Sequence, residues 1–156
     1  MQSKTILIAG AEIFETDNFW INADGKYVFN PELLSKAHDW NQKNTLNFCK
    51  SNPDKVAIVS NTLCGINDIS PYVEIAKSFG RPVFIITCSG KFKNIHNVPD
   101  NTIERMRMKF VQPTILKNLL KNFNVNVFMY NHTPQTTREL LNQIEIDINS
   151  LKSIHD

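Results

Sequence analysis

The chain alternates short, doubly apolar runs with longer amphipathic stretches, and this order constrains its fold more than any other feature. Val56, Ala57, Ile58 and Val59 are β-branched or small and apolar on both sides, as are Val83 to Thr87; a strand covered on both faces in a parallel sheet reads this way. A further β reading spans Lys4 to Thr16 with Gly10 as its only break, and another covers Val125, Val127, Phe128 and Tyr130. Between the runs lie helical patterns. Leu33, Leu34, Ala37, Trp40, Asn44 and Phe48 recur at helical spacing behind Asn30-Pro31, a capping residue followed by a proline at a first helical position. Ser70-Pro71 opens a second helix that Gly80 closes. Helical segments follow near Pro99 to Phe110 and Pro113 to Phe123. From Thr133-Pro134 to Ile154, Leu140, Leu141, Ile144, Ile148 and Leu151 form one stripe. Strands alternating with helices imply βαβ units: an α/β fold of three layers, with a mainly parallel sheet and helices on both faces.

At 156 residues the chain has the length of one domain, 1–156, ending in an amphipathic helix at about 134–154. The 42% hydrophobic and 21% charged residues exclude a disordered tail. A formal charge of +2 gives no support to a nucleic-acid partner. Cys49, Cys64 and Cys88 are odd in number and lack metal-ligand spacing, which argues against a disulfide framework or a zinc site and for reduced thiols in a cytoplasm. No 18-residue apolar stretch occurs, and the start has no export pattern. The expectation is a cytoplasmic protein that does not engage membranes. Asn, Lys, Ile and Phe are used heavily where Ala, Gly and Arg are scarce, a bias that fits an AT-rich genome.

Two segments carry more than a generic pattern. ETDNFWINADGKYVFNPELLSKAHDWNQ (15–42) and NIHNVPDNTIERMRMKF (94–110) flank VAIVSNT (56–62) and SPYVEIAKSFGRPV (70–83). Collinear over roughly residues 11 to 110, these resemble the acceptor-side loop, the AHxWNQ helix, the DNTN strand, the RPYVE helix and the NIHGVP element of small P-loop kinases, the NEDD4-binding-protein-2-like and polynucleotide-kinase-like families. The resemblance implies a P-loop kinase-like fold. It also exposes two departures. The phosphate loop needs GxxxxGK followed by Ser or Thr, because backbone N–H groups must wrap the phosphates while the lysine reaches them and the hydroxyl holds magnesium. None of the five glycines (Gly10, Gly25, Gly65, Gly80, Gly90) stands in such a pattern. SKTILIAG, similar to the family's first strand, runs directly into AEIFETD, similar to its second, with no room for a crossover between parallel neighbours. The first βα unit is thus truncated. Where the family's DNTN places an acid near the metal, this chain has Ser60-Asn61-Thr62-Leu63, and a neutral serine does not organise a hard cation as a carboxylate does.

The resemblance then implies a scaffold that has lost catalysis, with no catalytic residues, no metal site, and neither ATP nor magnesium expected as cofactor. Asp17 matches the acceptor-side acid; its ordinary role is to cap a loop. Asp17, Asn61, Asn94 and Arg105 form a possible remnant acceptor-side pocket. Arg105 and Arg107 cannot share one helix face, so at most one points inward. His38 and His96 read as packed residues, and His132 and His155 have no evident partner in the sequence. Phe19, Trp20, Tyr27 and Phe29 cluster in the loop 17–30, where aromatics form either a substrate wall or a protein contact. The stripe of the last helix covers the sheet in place of the missing first helix, or pairs with a second copy in a homo-oligomer.

The leading expectation is a non-catalytic binding protein with a protein partner, of the kind a virus or mobile element encodes to inhibit or redirect a host protein in the host cytoplasm. Two alternatives stay open: nucleotide or nucleic-acid-end binding through the retained acceptor half, and phosphotransfer with ATP cradled by a partner chain.

Overall fold

A computed structural model of the chain describes residues 11–88, 97–133 and 135–152. The strand read from Lys4 therefore lies partly outside the described residues, as do Asn94, His96 and His155. The fold is mixed α/β. Among the described residues four strands, β1 (Glu12–Phe14), β2 (Ala57–Val59), β3 (Val83–Cys88) and β4 (Val127–His132), alternate with five helices: α1 (Leu34–Ser51), α2 (Ile66–Ser78), α3 (Asp100–Lys109), α4 (Pro113–Leu120) and α5 (Thr137–Lys152).

Both strand pairings are parallel. β1 runs beside β2 with Phe14 opposite Val59, and β3 beside β4 with Val83 opposite Val127 and Cys88 opposite His132. Parallel neighbours need a long crossover, supplied here by α1 in the first pair and by the segment containing α3 and α4 in the second.

The core forms where apolar faces of helix and strand meet. Ile69 and Val73 of α2 and Leu116 and Leu120 of α4 are buried together against Val83, Ile85, Val127 and Met129. These strand residues alternate, so they share one face of the β3–β4 ladder. The other face carries Phe84 stacked on Phe128, with ring centroids 5.0 Å apart, and Tyr130. α5 lies there: Leu140 and Ile144 are buried, and the Tyr130 hydroxyl donates to the Asp147 carboxylate. Helices thus cover both faces of β3–β4. Leu141, expected in the buried stripe of α5, is exposed, because one face of a helix cannot hold both it and Leu140 against the same sheet.

Helix ends follow local chemistry. The Asn30 side chain accepts the Glu32 N–H at 3.0 Å, and a 3-10 turn from Pro31 to Leu33 leads into α1. At the other end of α1 the Arg81 guanidinium donates to the carbonyls of Cys49, Asn52 and Lys55 at 2.9, 2.7 and 2.8 Å. α2 begins at Ile66, four residues before the expected start. The Gly65 N–H donates to the Asp68 carboxylate at 3.0 Å, fixing the first turn there, and Pro71 sits inside the helix. Pro71 removes the helical N–H that would face the Asn67 carbonyl, and Asn67 is exposed.

α1 differs from its expected stripe. Its buried row is Ala37, Asn41, Thr45 and Cys49, while Leu34 and Trp40 are exposed. Two polar residues in that row hid it from a reading based on apolar spacing. Among the described residues no helix is long and apolar enough to cross a membrane.

Candidate functional site

The parallel register of β1 and β2 decides what meets at their C-terminal ends. The ladder ends with Phe14 opposite Val59, and Thr16 and Asn61 follow two residues beyond it on their own strands' exits. The Asn61 side-chain carbonyl accepts the Thr16 N–H at 2.8 Å. Its amide donates to the Tyr72 hydroxyl of α2 at 3.3 Å, and the Asn41 amide of α1 donates to the same hydroxyl at 2.9 Å. One phenol oxygen therefore joins β2, α1 and α2. Burial raises the Tyr72 pKa above the ordinary tyrosine value, while the Asn41 and Asn61 amides, and to a lesser degree the Thr16 side chain, oppose the rise. Asn41 Oδ1 is buried without a hydrogen-bond partner.

Immediately after Thr16 the chain turns outward. Residues Thr16–Trp20 form a 3-10 helix, and Asp17 on it is exposed. The Asp17 carboxylate lies against the Tyr27 hydroxyl. Burial, then the Asp17 charge and hydrogen bond, push the Tyr27 pKa up.

The loop beyond is tightly ordered. Ile21 bridges Tyr27 in antiparallel fashion, the Asn22 N–H donates to the Lys26 carbonyl at 2.9 Å, and the Val28 N–H donates to the Trp20 carbonyl at 2.8 Å. The Asn22 side chain accepts from the N–H groups of Asp24 and Lys26 at 3.0 and 2.9 Å, and Gly25 takes the left-handed conformation (φ 74°) that closes the turn. Trp20 is 4% exposed and anchors the loop from beneath, edge-on to Phe19 and Phe29 with centroids 5.0 Å from each. Phe19 reaches Trp40 of α1 at 5.8 Å. The outward surface is apolar: Ile21, Tyr27, Val28 and Phe29 are each at least half exposed.

Of the expected pocket, Asp17 and Asn61 come to the same strand ends, joined through Thr16. Ser60 is half-buried there and donates its N–H to the Phe14 carbonyl at 3.0 Å. Asn94 lies outside the described residues. Arg105 is elsewhere: exposed on α3, it turns its guanidinium back to the Asn101 carbonyl and the Thr102 hydroxyl at 3.3 and 3.1 Å. Arg107 is also on the surface and pairs with Glu104 at 3.7 Å. Of the four expected contact aromatics, Tyr27 and Phe29 face outward, Phe19 is half-buried, and Trp20 is the anchor and not the contact surface.

His132, which had no evident partner in the sequence, is buried and shares a hydrogen bond of 2.8 Å with the Thr137 hydroxyl. Tyr72 and Asn41 were missed as a pair; the signal was polar Asn41 in the helical row with Ala37 and Thr45.

The three cysteines are free, and burial raises all three thiol pKa values, which disfavours the reactive thiolate. Among the described residues no three His, Cys, Asp or Glu side chains are grouped to hold a metal ion. No protein-family model matches this chain.

Proposed function

We propose that this chain is a non-catalytic binding protein on a degenerate scaffold of the small P-loop kinase type, and that it contacts a protein partner through the loop Phe19 to Phe29. The observation that carries the reading is the ordered apolar surface of that loop. Ile21, Tyr27, Val28 and Phe29 are 50%, 56%, 58% and 51% exposed, yet the backbone beneath them is held by cross-loop hydrogen bonds and by Trp20. Fixing apolar groups in water is unfavourable, and a surface already fixed in shape loses little entropy when a partner covers it. Phe29, edge-on to the buried indole, and Tyr27 are its natural anchors.

The strand ends support the same reading. Where the resemblance implies acceptor and metal chemistry, Asn61 spends its amide on Thr16 and Tyr72. The three-layer kinase-like arrangement belongs to this proposal, as does a cytoplasmic setting in a host. One observation favours the second reading, a nucleotide or nucleic-acid end: Asp17 stays exposed at the end of β1.

Affinity capture with the wild-type chain and a Tyr27→Ala/Phe29→Ala variant, read by mass spectrometry, tests the proposal. A stoichiometric protein retained by the first and lost by the second is expected. Calorimetry with Mg-ATP and Mg-GTP is the counter-test: tight binding followed by phosphoryl transfer to any acceptor overturns it. Retention of oligonucleotides in place of a protein moves the second reading ahead.

A further inference from the structure

Two exposed apolar surfaces among the described residues differ in the sign of the charge around them. Beside Tyr27, Val28 and Phe29, the charges of residues 17–32 are Asp17, Asp24 and Glu32 against Lys26, all exposed. In a chain of formal charge +2 this patch is negative. The second surface lies on α3 and α4. Residues 100–121 carry Arg105, Arg107, Lys109, Lys117 and Lys121, all exposed, against Asp100 and Glu104. Among the described residues one ion pair, Arg107 with Glu104, involves any of these charges.

The second surface is apolar as well as basic. α4 buries Leu116 and Leu120 and turns its other sides outward. Ile115 and Leu119, four positions apart, form one exposed row, and Lys117 and Lys121 form another at the far border of the same open side. Where α3 runs into α4, Met108 is 80% and Phe110 39% exposed. Arg105 stands three positions before Met108 and four before Lys109, so the three share one side of α3. The join is fixed, because the Val111 N–H donates to the Cys64 carbonyl at 2.8 Å. α3 itself has ten residues and no buried side chain, and a helix of that length is marginal in water without packing against a neighbour.

Each surface offers what the other requires. The occupant of α3 and α4 must be apolar and negative, and the loop Phe19 to Phe29 with its flanking carboxylates is both. Opposite potentials orient such a contact, while the apolar groups inside the charged rim give it strength. We infer that a second copy of the chain docks this loop onto α3 and α4, with Tyr27 and Phe29 against Met108, Ile115 and Leu119 and with the loop carboxylates facing the lysines and arginines. The two surfaces are different parts of one chain, so the contact is head-to-tail. The inference rests on the reading of the loop as a docking surface and names what fills it when no other protein does. Self-association and capture of another protein then compete for the same loop.

Light scattering on the full chain, from about 10 μM to about 1 mM in low salt, tests it. The average mass should rise above that of one chain, and about 0.5 M sodium chloride should weaken the association at least about fivefold by screening the exposed charges. Ile115→Ala/Leu119→Ala and Tyr27→Ala/Phe29→Ala, checked for fold by circular dichroism, should each keep the chain monomeric. Charge reversal separates lost contact from lost fold. Asp24→Lys/Glu32→Lys and Lys117→Glu/Lys121→Glu should each stay monomeric alone and associate when mixed, since the reversed loop then meets the reversed helices. One-chain mass at every concentration, association that survives both alanine pairs, or a mixture that stays monomeric overturns the inference. Retention of a monomeric chain on phosphatidylserine vesicles, lost in Ile115→Ala/Leu119→Ala, overturns it in favour of a lipid surface. A monomeric wild type whose captured protein is lost in Tyr27→Ala/Phe29→Ala retires the second copy and leaves the partner reading standing. Self-association by these surfaces with no captured protein supports the second copy and retires the other partner.

Discussion

Asn61 holds the Thr16 N–H at 2.8 Å across 45 positions of sequence, and through the Tyr72 hydroxyl the same side chain is tied to Asn41 of α1. The bond exists because β1 and β2 run in parallel register, and it fixes where the chain leaves the sheet toward Asp17 and the aromatic loop.

Removing the phenol oxygen at this junction should be costly. Tyr72→Phe leaves the Asn41 amide, on a residue 1% exposed, without its acceptor, and an unpaired buried donor costs about 1–3 kcal/mol. Urea unfolding should show the midpoint falling with an unchanged slope. An unaltered midpoint would show that the junction is solvated and not structural.

Arg81 is expected to matter as a cap rather than as a surface charge. Its guanidinium satisfies three carbonyls at and beyond the C-terminus of α1, and hydrogen bonds from a charged donor place the cost of Arg81→Ala at about 1.5–3 kcal/mol. Arg81→Lys should recover little of this, because an ammonium cannot span the three acceptors as the planar fork does. Equal stability of the lysine variant and the wild type would contradict the geometry.

The alkaline limb of stability should belong to the tyrosines. Tyr27, Tyr72 and Tyr130 all have pKa values raised above 10.0; for Tyr130 the causes are burial and then the Asp147 carboxylate that accepts its proton. A group whose pKa is raised on folding contributes stability that is intact below the unfolded value and lost as pH climbs through the folded one. Stability should therefore decline above pH 10, where the unfolded chain ionises and the folded chain holds its phenol protons. Absorbance at the phenolate band should rise later in the native protein than in urea, and Tyr130→Phe should flatten the decline. A native titration curve overlying the unfolded one would refute this.

α5 is expected to be part of the core of its own chain. Leu140 and Ile144 are buried, and truncation of such side chains costs about 2–5 kcal/mol, so Leu140→Ala and Ile144→Ala should each lower the thermal midpoint. Light scattering after size exclusion should give one mass for both variants and the wild type. A variant that changes mass without losing stability would mean that these residues meet a second copy.

Much of the architecture was legible in the chain. Val56–Val59 and Val83–Thr87 announced covered strands, and both pair in parallel; Asn30-Pro31 announced the start of α1. Besides Leu141, three readings went astray for physical reasons. Ser70-Pro71 looked like a helix start, but the Asp68 carboxylate holds the first turn at Gly65. The buried row of α1 passes through Asn41 and Thr45, polar residues whose burial depends on Tyr72 and on the Asn41 carbonyl that accepts the Thr45 hydroxyl. Trp20 looked like one more loop aromatic and is the loop's anchor.

Sequence alone determined the period of each segment, because alternation of apolar residues is a local property, and with it the α/β class and the parallel pairing. It also placed Asp17 and the aromatics in one loop, since they are neighbours along the chain. Only the tertiary structure decided which residues share an oxygen, which aromatics face water, and that Arg105 stays on its own helix. Those outcomes depend on register between strands, and register is set by packing between segments that lie far apart along the chain.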